Sequence, residues 1–295
     1  MRAMRHLSVG GTVVFTEPEL EAMLADMAKY GVTHTLAAPI MVARWLRAMP
    51  ASHPGFPKLK HLALVGGRLA PELGKEIAAR LTPNIFINYG TTETGLLAVA
   101  DPGSYRTHPE SVGRVVPWAE AEVIDDQGLA VPAGQTGILR FRGLGIATGY
   151  VRNDEATAKH FRGGWYYPGD LGSLTADSML SIQSRADEMI NLGGPKVSPV
   201  TVEEILVQHS SVVEAGAFGK RIANSNEVVM AAVVVQGAFD EKALLAFCRE
   251  RLANYAPVRL FKVAELPRNA MGKLMRDDLA RRVITPPVPA EKILH

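Results

Sequence analysis

The sequence predicts an α/β fold: an incomplete N-terminal α/β domain with a parallel sheet and a small β-rich subdomain, followed by a smaller α+β domain. Three observations carry this. Over the first ninety residues, short apolar runs alternate with helical stripes; from Val112 to Leu180 the pattern becomes short alternating strands; beyond Asp187 it becomes a mixture able to bury its own core. The expected division is 1–186, split into an α/β part (1–110) and a β-rich part (111–186), and then 187–295.

In chain order, TVVF (12–15) reads as a strand. Thr16 with Glu19 three residues on is a capping-box pattern, and Leu20, Met23, Leu24 and Met27 form the stripe of a helix ending at Gly31. VTHTLAAP (32–39), HLALVGG (61–67) and NIFINYG (84–90) read as strands, with helices IMVARWLRAM (40–49) and APELGKEIAARL (70–81) between them. Near-continuous apolar strands alternating with helices argue for a parallel sheet, whose ligands bind beyond the carboxyl ends of the strands. Two polar turns occupy those ends, GGRL (66–69) and YGTTETG (89–95). Gly10-Gly11-Thr12 enters the sheet almost at Met1, so the sheet is expected to begin in its middle.

DDQG (125–128), PAGQTG (132–137) and FRGGW (161–165) punctuate the β-rich part with turn residues. After SRADEM (184–189) come a helix, PVTVEEILVQH, two strands, VVEAGAFG and EVVMAAVVV, a helix holding Cys248, and a polar tail with PRNAMGK (267–273). Leu244, Leu245, Phe247, Cys248 and Leu252 make an apolar stripe, which marks Cys248 as a packed core thiol.

Composition narrows the function classes. With 47% hydrophobic residues and 21% charged, 295 residues can build a full core. Thirty-two basic and 30 acidic side chains nearly cancel and no run of five like charges occurs, which argues against a nucleic-acid partner. The run Val228–Val235 is far short of the roughly 20 residues of a membrane helix, and MRAMRHLSVGG lacks the apolar core of a secretion signal. A cytoplasmic location is expected. One cysteine excludes an internal disulfide, and eight histidines without an HxxxH or HExxH pair give no metal cage.

Common nucleotide and hydrolase signatures are missing. Gly74-Lys75, Gly219-Lys220 and Gly272-Lys273 are followed by Glu, Arg and Leu, not the Ser or Thr of a phosphate loop. GLGIATG (143–149) is one residue too long for a dinucleotide fingerprint, and no GxSxG elbow occurs. What remains is an ordered set: GGRL, NYGTTE, GILRFRGLGIATGY (137–150), GWYYPGD (164–170), SRADEMINLGGPKVSPVTVEE (184–204) and PRNAMGK. In order and spacing it closely resembles the later motifs of the adenylate-forming superfamily, which includes acyl- and aryl-CoA synthetases, peptide-synthetase adenylation domains and firefly luciferase.

The resemblance implies an AMP-forming acid–thiol ligase using ATP, Mg²⁺ and coenzyme A or the phosphopantetheine of a carrier protein. By position, Tyr89 is similar to the ring stacked on adenine, with Asn88, Gly90 and Thr91 in the same nucleotide turn. Thr92 matches the α-phosphate hydroxyl and Glu93 the carboxylate on Mg²⁺, a hard ion suited to oxygen ligands. Gly66, Gly67 and Arg68 match the turn beside adenine and acyl group, although the family often has Ala or Glu at the third place. Asp170 matches the ribose-binding carboxylate, whose two oxygens suit a vicinal diol, and Arg185 its companion. Lys273 matches the adenylation lysine, whose ammonium stabilises charge developing during attack on the α-phosphorus. Asp187 matches a hinge for rotation of the C-terminal domain, and Gly193-Gly194 a loop lining the thiol tunnel. Residues 34–41 and 90–98 are expected to border the acyl group, with Ala37, Ala38 and Gly90 leaving room for an apolar or aryl acid.

Each residue also has a plainer reading: a capped helix start for Thr92 and Glu93, an ordinary turn for Gly66–Arg68, a solvated turn for Asp170 and Lys273, a surface ion pair for Arg185, positive φ for the glycines. Ser184, Asn191, Pro168 and Thr201 depart from the family pattern. Members also carry roughly two hundred further N-terminal residues, beyond a single-domain length, with a loop for the β- and γ-phosphates. The chain is therefore expected to be impaired in the ATP-dependent step, or to act as a non-catalytic nucleotide- or CoA-binding remnant, or to complement a separate N-terminal half.

Overall fold

The computed structural model describes residues 2–17, 19–221, 227–269 and 272–284. The chain divides into two compact units, meeting in sequence at Val116 and Pro117.

In the first unit, helix α1 (Arg2–Ser8) precedes α2 (Leu20–Lys29), β1 (His34–Ala37), α3 (Pro39–Ala48), β2 (His61–Leu64), α4 (Pro71–Arg80), β3 (Ile85–Thr91), β4 (Gly95–Ala100), α5 (Pro102–Thr107) and β5 (Gly113–Val115). Helices α3, α4 and α5 each open on a proline, which is pre-set for the first helical position and has no N–H to leave unpaired. Strands β1, β2 and β3 pair in parallel, with Thr35 opposite Leu62 and Leu62 opposite Ile85. Leu24 and Met27 of α2, Val42, Trp45 and Leu46 of α3, and Ile77 of α4 share one core with Leu62, Leu64, Ile85 and Ile87 of the strands.

Two expectations fail here. Residues 12–15 form no strand; Phe15 is exposed, and a strand without a pairing partner is not stable. The α2 cap is not Thr16: the N-cap is Glu19, extended and making no capping bond, so it cannot serve as the third helical residue of a capping box. The sheet is also mixed, because β4 runs antiparallel to β3, and β5 to β4.

The second unit contains β6 (Ala119–Ile124), β7 (Thr136–Gly143), α6 (Asp154–His160), β8 (Phe161–Arg162), β9 (Trp165–Tyr166), β10 (Asp170–Leu174) and β11 (Met179–Arg185). They pair antiparallel: β6 with β7, β7 with β9 and β10, β8 with β9, and β10 with β11. The DDQG turn forms as read, with Asp125 Oδ1 accepting the amides of Gln127 and Leu129, each at 2.9 Å.

A 3-10 turn (Ala186–Glu188) leads to the short hairpin β12 (Ile190–Asn191) and β13 (Lys196–Val197), then α7 (Pro199–Leu206), β14 (Val212–Arg221), β15 (Glu227–Val235), α8 (Glu241–Leu252), β16 (Arg259–Lys262) and α9 (Arg276–Ile284). Strand β15 lies between antiparallel β14 and parallel β16. Val229, Ala231 and Val233 face α7 and α8, whereas Ala232 shares a cluster with Leu279 of α9. Burial on both faces explains why this strand is a continuous apolar run. Cys248 is fully buried against α7 and the sheet, and burial pushes its thiol up to about 11. Helix α9 stands where only a polar tail was expected, because its nine residues bury Leu279 and little else.

Glycine in a helix normally costs up to about 1 kcal/mol relative to alanine. At Gly74 in α4, however, an added methyl would lie 1.7 Å from the Tyr105 hydroxyl. Gly74→Ala is therefore expected to destabilise the protein by about 1–3 kcal/mol, with Tyr105→Phe recovering part of the loss. Urea unfolding tests this, and a stabilising Gly74→Ala would contradict it.

Candidate active site

In the first unit the turns that follow the adjacent parallel strands β2 and β3 bring the predicted residues to the carboxyl end of those strands. Gly66, Gly67 and Arg68 follow β2 and are exposed; a methyl on Gly67 would meet Pro39 Cδ at 3.8 Å, so the turn borders the segment Ala37–Pro39 at the start of α3. Strand β3 carries Asn88, Tyr89, Gly90 and Thr91 to the same end.

Beyond Thr91 the chain forms neither an open loop nor a helix start but a tight hairpin into β4, with Thr91 opposite Gly95. Thr94, which sequence reasoning passed over, closes it. Its buried hydroxyl accepts the Thr91 amide at 3.1 Å, lies 3.2 Å from the Thr91 hydroxyl and donates to the Gly95 carbonyl at 3.1 Å. Gly90 has a backbone reason to be glycine, since a Cβ there would fall 1.8 Å from the Gly95 carbonyl oxygen. Thr92 and Glu93 occupy the tip, exposed and half-buried respectively. No group of three or more His, Cys, Asp or Glu among the described residues could hold a metal. The Glu93 carboxylate at the tip is a hard oxygen donor that fits a Mg²⁺ ion otherwise held by phosphate and water.

In the second unit a second group forms around Arg185. Asp170 opens β10 directly opposite Arg185 at the end of β11. Asp170 is buried, and its Oδ1 lies 3.6 Å from Arg185 Nη1, which also donates to the Pro168 carbonyl at 3.2 Å. The acceptor is the main-chain carbonyl of residue 168, which does not depend on the proline side chain. Arg185 Nε and Nη2 donate to the two oxygens of Asp187 at 2.9 and 3.0 Å. These bonds, with Asp170 and Glu188 adding to them against burial, hold the guanidinium above its ordinary value; they hold the Asp187 carboxyl below its own.

Lys273 joins this group through a residue that the sequence did not single out. Its Nζ is 3.3 Å from Glu188 Oε1, and Glu188 Oε2 accepts from Arg276 Nε at 2.8 Å. Arg276 also donates from Nη1 to Glu203 and to the Ala217 carbonyl, the latter at 2.8 Å. Burial works against the Glu188 charge, but Arg276 and Lys273 outweigh it and keep the carboxyl below the usual range. Glu203 is more deeply buried, and burial raises its carboxyl against the pull of Arg276 and the Ala217 amide. The lysine loop is anchored on both sides: Asn269 Oδ1 accepts the Lys273 amide at 2.9 Å, and Arg268 bonds the Gly272 carbonyl and Glu214, each at 3.0 Å. Ala270 and Met271 of the PRNAMGK motif lie outside the described residues.

Gly193 and Gly194 form the β12–β13 loop at φ 95° and 138°, a region that favours glycine. Both amides donate to Asn191 Oδ1, at 3.0 and 3.2 Å, and the Asn191 amide donates to Glu227. The departure at Asn191 therefore supplies the staple of this loop. The structure brings Asp170, Arg185, Asp187 and Lys273 into one ionic group; Gly66–Arg68 and Asn88–Glu93 form the other, in the first unit.

Comparison with known proteins gives a consistent picture. The family model described as AMP-binding enzyme matches residues 1–151, and that of the AMP-binding enzyme C-terminal domain matches residues 201–273. A 2-succinylbenzoate–CoA ligase of Geobacillus kaustophilus is 37% identical over 249 residues, covering 82% of this chain and 51% of the relative. A long-chain-fatty-acid–CoA ligase of Escherichia coli is 30% identical over 274 residues, covering 92% and 49%. Among solved structures, the o-succinylbenzoate CoA synthetase of Bacillus subtilis in complex with ATP and magnesium superposes with a TM-score of 0.82 at 27% identity, covering 94% of this chain and 58% of that one. The chain spans about half the length of the curated relatives it matches.

Asp187 and Glu188 have depressed carboxyls, so the stability they contribute is present above the ordinary carboxylate range and is lost as pH falls through their folded-state values. Thermal unfolding between about pH 5 and pH 2 is expected to fall more steeply for the wild type than for an Asp187→Asn, Glu188→Gln double variant. Equal slopes would contradict the pairing.

Proposed function

The chain belongs to the AMP-binding enzyme family, whose relatives include acyl- and aryl-CoA ligases, and on that premise we propose that it carries adenylate- and thiol-handling machinery of an AMP-forming acid–thiol ligase. The observation that carries this reading is the ionic group in which buried Asp170 sits opposite Arg185 while Lys273 is tethered beside them through Glu188.

In the first half-reaction a carboxylate oxygen attacks the α-phosphorus of ATP, and the bond to pyrophosphate breaks. Asp170 accepts hydrogen bonds from both ribose hydroxyls, and Arg185, charged at any working pH, orients it. Tyr89 stacks on adenine, beside Gly66–Arg68 and Asn88–Thr91, and Thr92 donates to an α-phosphate oxygen. Lys273 places its ammonium against the oxygens where charge accumulates. Glu93 would hold a Mg²⁺ ion, whose charge would offset that of the phosphates. In the second half-reaction the thiol of coenzyme A, or of a carrier-protein phosphopantetheine, attacks the acyl carbon and AMP leaves. Rotation at Asp187 exchanges the lysine loop for the Gly193-Gly194 loop, whose lack of side chains admits a pantetheine arm. Ala37, Ala38 and Gly90 favour an apolar acyl or aryl acid, in keeping with relatives named for succinylbenzoate and for long-chain fatty acids.

A second reading is that these residues bind nucleotide and coenzyme A without themselves catalysing ligation.

The test supplies a premade acyl-adenylate with coenzyme A and measures AMP and thioester by mass spectrometry. Thioester formation is expected. Lys273→Ala should lower adenylation, measured with the matching N-terminal half of a relative added, by about 10²–10³-fold while leaving thioester formation nearly unchanged. Loss of both steps to the same degree would contradict the role of Lys273; no product even with the added half would contradict the ligase reading.

A further inference from the structure

Two neighbouring carboxylates in the 3-10 turn Ala186–Glu188 are committed in different directions. Asp187 is taken by the fork of Arg185, which belongs to β11 and the preceding sheet. Glu188 is taken by Arg276 and Lys273, which follow it in the chain by more than eighty residues. Behind Glu188 the contacts are saturated. Arg276 donates from Nε to Glu188, from Nη1 to Glu203 and the Ala217 carbonyl, and from Nη2 to Glu203 at 3.3 Å, and Glu203 accepts the Ala217 amide at 2.7 Å. Arg276 is thereby committed on every side, and its side chain is only 14% exposed. Lys273, at 49%, is the wet end of the chain of contacts.

We propose that Glu188 is a positioning residue that holds the Lys273 ammonium through a fixed bracket of Arg276, Glu203 and Ala217, so that the lysine travels as one body with everything after Asp187. This rests on reading Lys273 as the adenylation lysine. Every member of the bracket lies beyond the hinge position, so a rotation there leaves it intact. The hinge is crossed by Arg185, with two short bonds to Asp187 and a longer approach to Glu188, Nε to Oε1 at 3.9 Å, and by Ser184, whose hydroxyl donates to Met189 Sδ at 3.2 Å. The device accordingly separates a part that keeps the lysine aimed from a part that a domain movement must break or remake.

The test is the rate of acetylation of individual lysines in the folded chain by an amine-reactive ester, read by peptide mass spectrometry, with exposed Lys242 on α8 as the internal reference. Glu188→Gln keeps an acceptor for Arg276 but removes the charge that holds the ammonium. It is expected to raise labelling of Lys273 relative to Lys242 by about 2- to 5-fold, and Glu188→Asp to restore part of the protection. In the wild type, protection of Lys273 should weaken as salt rises from low to about 0.5 M, whereas in Glu188→Gln the ratio should stay flat. Equal labelling ratios in wild type and Glu188→Gln at every salt concentration would overturn the proposal. Should Glu188→Gln fail to fold, the wild-type salt series decides, and a ratio independent of salt overturns it. Labelling needs no turnover, so this inference and the ligase reading can fail separately.

Discussion

The guanidinium of Arg185 organises the candidate site of the second unit. It ends β11, faces Asp170 across the strand pair, bonds the carbonyl of Pro168 and grips Asp187 with two parallel hydrogen bonds. A planar fork has few ways to satisfy these acceptors at once, so it sets the orientation of the Asp170 carboxylate and the start of the 3-10 turn together. The turn then directs Glu188 toward Arg276 and Lys273. The charges farthest from water, Arg276 and Glu203, persist only when paired, and side chains from the turn, α7 and α9 meet to pair them.

Several parts of this arrangement are legible in the residues themselves. The apolar runs at Leu62–Leu64 and Ile85–Ile87 announce buried parallel strands, and Val229–Val233 a strand covered on both faces, because burial on two sides leaves no room for polar alternation. Pro199 opens the helix expected to begin with it, whereas Pro39, read as the end of a strand, is the first residue of α3. Cys248 sits where its apolar stripe puts it. The site residues are a different matter: Asp170, Arg185 and Lys273 are ordinary turn and loop residues in isolation, and only the order of six motifs sets them apart.

The features that escape sequence reasoning have a common physical origin. Local patterns record local partners, whereas Glu188 meets Arg276 across 88 residues and Glu203 meets it across 73. No periodicity marks such a pair. The hairpin after β3 turns on one hydroxyl, that of Thr94, and no spacing or periodicity marks that staple. Thr12–Phe15 has strand composition but no partner, and α9 hides its helical character behind polar or half-exposed positions around Leu279. Asn191 reads as a departure from a family pattern; its side chain gathers the amides of Gly193 and Gly194.

If the Asp170 carboxylate, aimed by Arg185, receives the two hydroxyls of a ribose, the protein must distinguish nucleotides that have them from nucleotides that do not. Calorimetric binding of AMP against its 2′,3′-dideoxy analogue, to the wild type and to Asp170→Asn, reads this out. The wild type should prefer AMP by about 10-fold or more, the worth of hydrogen bonds to a charged acceptor, and Asp170→Asn should lose most of that preference. Equal affinity of the wild type for the two nucleotides, or a preference untouched by Asp170→Asn, would contradict the ribose-binding role.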